Sequence, residues 1–169
     1  DVSKKWGLEL DQIIIMIHSG SRSFGSEIAG FHADKLRDIF SKWGITQPHR
    51  DSIYCPVGTK EADEFIRDMR TALNFSIENR SHMALKVMDI LKGRFENIEM
   101  SILYDICHNT ITKEVVNKEE YWVHRKGATR AFPAGHPFLD GSKWEETGHP
   151  VLLPGSMGTR SFIMRGNMN

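Results

Sequence analysis

Asp11 to Gly25 reads DQIIIMIHSGSRSFG, and the interpretation of the whole chain turns on this stretch. Five apolar residues in a row, Ile13 to Ile17, predict a strand buried on both faces. The run stops at His18 and gives way to Ser19, Gly20, Ser21, Arg22, Ser23, Phe24 and Gly25. Such a change, from core strand to small hydroxyl residues, glycine, arginine and histidine, has the make-up of a site. Glycines let backbone N–H groups approach an anion, serines add donors, and Arg22 can fork onto a phosphate. His18, at the strand's end, is placed to ligate a metal. The same residues also suit a plain Ser/Gly loop with a hydrogen-bonded histidine, and this stretch alone does not decide between the two.

Upstream, Asp1 to Leu10 is polar with Trp6 and Leu8, and predicts a short helix or turn. Downstream, Ile28, Phe31, Leu36, Ile39, Phe40 and Trp43 recur at helical spacing, so Ser26 to Trp43 predicts a helix ended by Gly44. Its N-terminus faces the Ser/Gly loop, where the helix dipole favours an anion. Ile45 to Gly58 carries Pro48 and Pro56 and reads as a loop. Lys60 to Leu91 is the longest helical pattern, with Glu61 and Asp63 in its first turn and Gly93 as its stop. A break fits near Asn79 to His82. The apolar stripe from Ala62 to Leu91 reads as core packing, and Asn79 and Arg80 read as solvated positions.

Ile98 to Ile106 predicts a second central strand that ends, like the first, in a polar cluster: Cys107, His108, Asn109, Thr110. Tyr121 to His124 is a short strand running into Arg125, Lys126 and Gly127. Phe132 to Gly148 is loop-rich. Val151 to Leu153 is a strand that breaks at Pro154 to Gly158, and Phe162 to Met164 is the last strand. Helices and strands alternate without a regular βαβ repeat, so the fold class expected is α+β, with mixed sheets and packed helices in a single domain spanning 1–169.

The composition, 40% hydrophobic and 26% charged, is that of a globular chain long enough to bury a core. Lys+Arg and Asp+Glu are both 22, so any nucleic-acid surface must be a local basic patch. Cys55 and Cys107 form no C-x-x-C pair, which fits a reducing compartment. No apolar run is long enough for a membrane helix and no signal peptide is visible, so a cytoplasmic location and no membrane partner are expected. The chain opens without Met and stops just after an apolar run, as a piece of a longer polypeptide does.

Chemistry is expected where apolar strands end in polar clusters. His18 and His108 can share a divalent metal such as Mn²⁺ or Zn²⁺, or each can serve as a structural hydrogen-bonder. Arg22, Arg125, Lys126 and Arg130 can bind phosphates, or form a solvated basic turn. Pro154 to Ser161, PGSMGTRS, lacks the Walker pattern. It can still wrap a nucleotide through backbone N–H groups, or be an ordinary connection. Cys107 reads as a structural thiol rather than a nucleophile.

Four ordered segments carry a resemblance: HSGSR at His18–Arg22, YDICHN at Tyr104–Asn109, VHRKGATRAFP at Val123–Pro133, and HPVLLPGSMGT at His149–Thr159. Together they resemble the RtcB family of RNA ligases. DMRTALNFSIENR, Asp68–Arg80, is similar to that family's long helix. The resemblance covers essentially the whole chain and implies the central part of an RtcB-like catalytic domain. It implies joining of RNA 3′-phosphate or 2′,3′-cyclic phosphate ends to 5′-hydroxyl ends, such as tRNA halves, in tRNA splicing or RNA repair. It implies GTP, two Mn²⁺ ions, a histidine–GMP intermediate, and an archease-like activating protein as partner.

Carried over by motif position, His18 and His108 would be Mn²⁺ ligands. His108, Asn109, Pro154, Gly155, Ser156, Met157 and Ser161 would line the guanylate pocket, and Arg22 and Lys126 would hold RNA phosphates. Ser23 and Arg160 depart from the smaller residues common in the family. The family's upstream Asp and Cys ligands, its Gly-Asn-His motif, the His-Gly-Ala-Gly-Arg segment with the guanylylated histidine, and the C-terminal lysine are not in this sequence. The expectation is therefore a piece without its nucleophile, inactive on its own. The competing expectations are a non-catalytic relative that binds RNA or guanine nucleotide, and an unrelated α+β domain with Gly-rich turns.

Overall fold

The structure is a computed structural model that describes residues 1–47, 49 and 52–167. Asp1 caps a four-residue helix, α1 (Val2–Lys5), by accepting from the Ser3 N–H at 3.1 Å. Helix α2 spans Ser23–Ile39 and tightens into a 3₁₀ turn over Phe40–Trp43, which Gly44 ends in the left-handed conformation. Helix α3 spans Lys60–Lys92 without a break. Thr59 caps it, its Oγ1 accepting from the Ala62 N–H at 3.2 Å. The connection between α2 and α3 is a loop, as expected, although Pro48 within it lies outside the described residues.

The chain gathers into two compact units, Ser19–Val87 and Asp1–His18 with Met88–Asn169. In the first, α2 and α3 share a seam. Gly25 lies against Ala72, Phe24 against Phe75 with ring centroids 5.4 Å apart, and Lys35 pairs with Glu64. His32, 2% exposed, reaches Asp68 at 2.9 Å, and that contact holds the Asp68 carboxyl below its usual range. Leu36, Phe40, Ala62 and Ala72 complete this core.

The second unit contains two antiparallel hairpins. Strands β1 (Asn109–Val116) and β2 (Glu119–Lys126) pair from Val116↔Glu119 to Asn109↔Lys126. Asn117 and Lys118, both at positive φ, make the two-residue turn between them, whose twist matches that of the strands. Strands β3 (Pro150–Leu153) and β4 (Phe162–Arg165) pair from Leu153↔Phe162 to Pro150↔Arg165, joined by Pro154–Ser161. Ile111, Leu139, Trp144 and Pro150 are its buried centre. Gly166 is held to the size of glycine, since a Cβ there would lie 2.4 Å from the Phe132 carbonyl oxygen.

The class is α+β, with small antiparallel sheets rather than mixed ones among the described residues. The two expected central strands do not form. Neither Ile13–Ile17 nor Ile98–Ile106 joins a sheet, and Ile13 is 87% exposed. A strand buried on both faces needs neighbours on each edge and layers above and below, and the described residues supply none. The α3 stripe is also less buried than its period implies: Phe75, Ile77, Met83, Leu85 and Ile90 are exposed. Among the described residues, no helix is long and apolar enough to cross a membrane.

Candidate functional site

His18 and His108, 90 residues apart in the chain, meet in the Asp1–His18 and Met88–Asn169 unit. Their Nε2 atoms are 2.9 Å apart, with the rings edge to face at 80°. Two imidazole nitrogens this close either share one proton or turn both lone pairs to one cation. His108 Nδ1 is buried and has no hydrogen-bond partner, so the ring is not tied down from behind. The donor set suits a divalent transition metal. Two donors are half a shell, and no group of three or more His, Cys, Asp or Glu able to hold a metal occurs among the described residues.

The β1–β2 hairpin sets His108. The residue directly precedes β1, and its carbonyl accepts from the Ala128 N–H at 3.2 Å. Asn109 Oδ1 accepts from the Gly127 N–H at 3.0 Å, which leaves its amide N–H groups to donate elsewhere. Lys126, opposite Asn109, is exposed and makes no ion pair among the described residues. Arg125 is different. Its Nη1 and Nη2 fork onto Glu114 at 2.6 and 2.8 Å, and this hydrogen bonding holds the Glu114 carboxyl down at about 2. Arg125 is therefore committed within the hairpin and is no free phosphate binder.

The Pro154–Ser161 loop closes on itself. Ser161 Oγ accepts from the Gly155 N–H at 2.9 Å and Thr159 Oγ1 from the Ser156 N–H at 2.8 Å. Two of the backbone donors expected to wrap a nucleotide are thus already used. Gly155 must be glycine, because a Cβ would lie 2.5 Å from the Arg160 carbonyl oxygen. Met157, at the tip, is fully exposed. Tyr104 packs on Trp144 and His149, and burial pushes its hydroxyl up to about 12. Burial, then Arg130 and His136, push His149 below the usual imidazole value. Cys55 and Cys107 are both reduced.

In the Ser19–Val87 unit, Arg22 is the residue before α2, exposed and at φ 55°, ψ −140°. The helix begins at Ser23, three residues earlier than its apolar spacing predicts. Asn79 and Arg80 are not the solvated positions expected of them. Asn79 Nδ2 donates to Ser19 Oγ at 3.2 Å and to the Gly20 carbonyl at 2.9 Å, and Arg80 Nη1 donates to the Ser19 carbonyl at 3.3 Å. A signal was present: Ala72, Ser76, Asn79 and Arg80 follow at steps that keep to one face of α3, and Ala72 and Ser76 are buried.

A family model described as tRNA-splicing ligase RtcB matches residues 1–169. The tRNA-splicing ligase RtcB of Pyrobaculum aerophilum is 37% identical over 175 residues, covering 98% of this chain and 36% of its own length. Those of Thermococcus kodakarensis and Nanoarchaeum equitans are 36% and 37% identical, with the same shares covered. The chain thus spans a little over a third of the length of these relatives. With the whole sequence matched and the motif residues placed as described, the chain belongs to the RtcB family of tRNA-splicing ligases.

Proposed function

We propose that this chain is the central part of the catalytic domain of an RNA ligase. The reaction is the GTP- and Mn²⁺-dependent joining of 3′-phosphate or 2′,3′-cyclic phosphate ends to 5′-hydroxyl ends, as between tRNA halves. The observation that carries the reading is the approach of His18 and His108 to 2.9 Å in a chain of this family. His18 and His108 are two of the metal ligands, and further ligands come from outside the described residues. Bound Mn²⁺ supplies charge neutralisation at phosphate oxygens and a more acidic oxygen nucleophile.

The chain's own part is binding and orientation. Arg22 and Lys126, neither with an ion pair among the described residues, take RNA phosphates. The Pro154–Ser161 loop carries the guanylate. There Met157 offers an apolar surface, and Ser161, whose oxygen already accepts from Gly155, keeps its proton for a ligand oxygen. Asn109 would donate its amide N–H groups to the guanylate, and His108 would serve both metal and nucleotide. The guanylylated histidine is supplied from outside these residues, and an archease-like protein is the activating partner.

The test is ligation of an RNA 3′-phosphate to a 5′-hydroxyl by the full-length protein, with Mn²⁺ and GTP, read on a denaturing gel. His18→Ala and His108→Ala should each abolish joining and weaken Mn²⁺ binding about 100-fold. The 169-residue polypeptide alone should take up no covalent GMP. RNA or GMP binding by the full-length protein with no ligation under any metal would replace this reading with the non-catalytic one.

A further inference from the structure

Ser19, Gly20 and Ser21 belong to no helix or sheet, so their backbone groups need other partners. Asn79 and Arg80 supply them. Both protons of Asn79 Nδ2 are used, one on Ser19 Oγ and one on the Gly20 carbonyl, while Arg80 takes the Ser19 carbonyl. Two consecutive carbonyls are thereby pinned to the middle of α3, which runs unbroken through this point.

The pinning explains a second observation. Arg22 is not glycine, yet it sits at φ 55°, ψ −140°, outside the usual regions. Such a conformation persists only where its surroundings over-determine it. On its C-terminal side α2 begins at once, at Ser23. On its N-terminal side only Ser21 separates it from the pinned Gly20. Removing the pins leaves Arg22 free to relax to an ordinary conformation and point elsewhere.

We propose that Asn79 and Arg80 are positioning residues: by clamping the Ser19 and Gly20 peptides they fix the direction in which Arg22 is presented to an RNA phosphate. The clamp stands on the hydrogen bonds alone, whereas what it presents, an RNA-phosphate cation, rests on the ligase reading. Ser19 is drawn in as well. Its oxygen accepts from Asn79, so its own proton is left to donate to an anion.

The test uses Asn79→Ala, Arg80→Ala and Arg80→Lys in the full-length protein. The backbone NMR shifts of Gly20, Ser21 and Arg22 are followed without metal, and RNA KM and kcat are measured beside them. Asn79→Ala should move these three resonances, leave those in the interior of α2 and α3 in place, and raise the RNA KM by about tenfold with a smaller effect on kcat. Arg80→Lys, which can still donate to the Ser19 carbonyl, should restore part of what Arg80→Ala loses. Unchanged shifts and RNA KM in Asn79→Ala would overturn the proposal, as would shift changes spread evenly through both helices. If the shifts respond as expected but the wild type joins no RNA, the clamp stands and the ligase reading falls.

Discussion

Arg125 and Lys126 are neighbours in the chain with different surroundings. Successive residues of a strand face opposite ways, so β2 turns Arg125 toward Thr112 and Glu114 and leaves Lys126 on the other face. Glu114→Gln should therefore cost stability, about 2 kcal/mol at pH 7, with little effect on RNA binding. The sign follows from the depressed carboxyl: its folded value is about 2 against 4.5 for the free group. The stabilisation is fully present above 4.5 and is lost as pH falls towards 2. Urea unfolding at pH 7 and at pH 2 should show the gap between wild type and Glu114→Gln closing. Lys126→Ala should do the reverse, keeping stability, weakening RNA binding uniformly across sequences and lowering the salt slope by about one. Single-residue identity did not separate the two. The basic run Arg125-Lys126 was legible, but which of them is committed depends on Glu114, eleven residues earlier on the paired strand.

At the level of elements, what could be read depended on how local the cause was. Helices α2 and α3 were legible because their signals lie within one stretch: period, Glu61 and Asp63 in the first turn of α3, and terminating Gly44 and Gly93. Strand β1 was missed, since Thr110 to Val116 alternates weakly and its partner is fixed by the Asn117–Lys118 turn rather than by an apolar run. The PGSMGTRS segment was legible as a Gly-rich break. That it spends its own donors on Ser161 and Thr159 was not, because side-chain closure leaves no pattern in spacing. A test follows for this loop. Gly155→Ala puts a methyl group where the Arg160 carbonyl lies and should force the loop open. GMP binding, measured by calorimetry, should weaken at least tenfold, and the NMR shifts of the β1–β2 hairpin should stay in place.

For the molecule as a whole, the apolar runs that predicted central strands have no neighbours to pair with among the described residues. The chain spans 36% of the length of relatives such as that of Pyrobaculum aerophilum. Leu10, Ile13, Ile14, Ile15 and Ile102 are exposed here, which is costly for residues of this kind. Purified as 169 residues, the polypeptide should bind a hydrophobic dye strongly. The same sequence carried within a polypeptide of its relatives' length should bind it at least several-fold less. Equal dye binding by both would mean that these runs stay bare and that the strand reading fails outright.

The N-terminal segment carries its own reporter. Trp6 donates from Nε1 to Thr147 Oγ1 at 2.9 Å and sets its ring edge-on to Trp144, with centroids 6.0 Å apart. Indoles held at right angles and this near couple their electronic transitions. The circular dichroism of the aromatic region will therefore carry a paired band that vanishes when the first ten residues come away, so fraying of this end can be watched optically without a label.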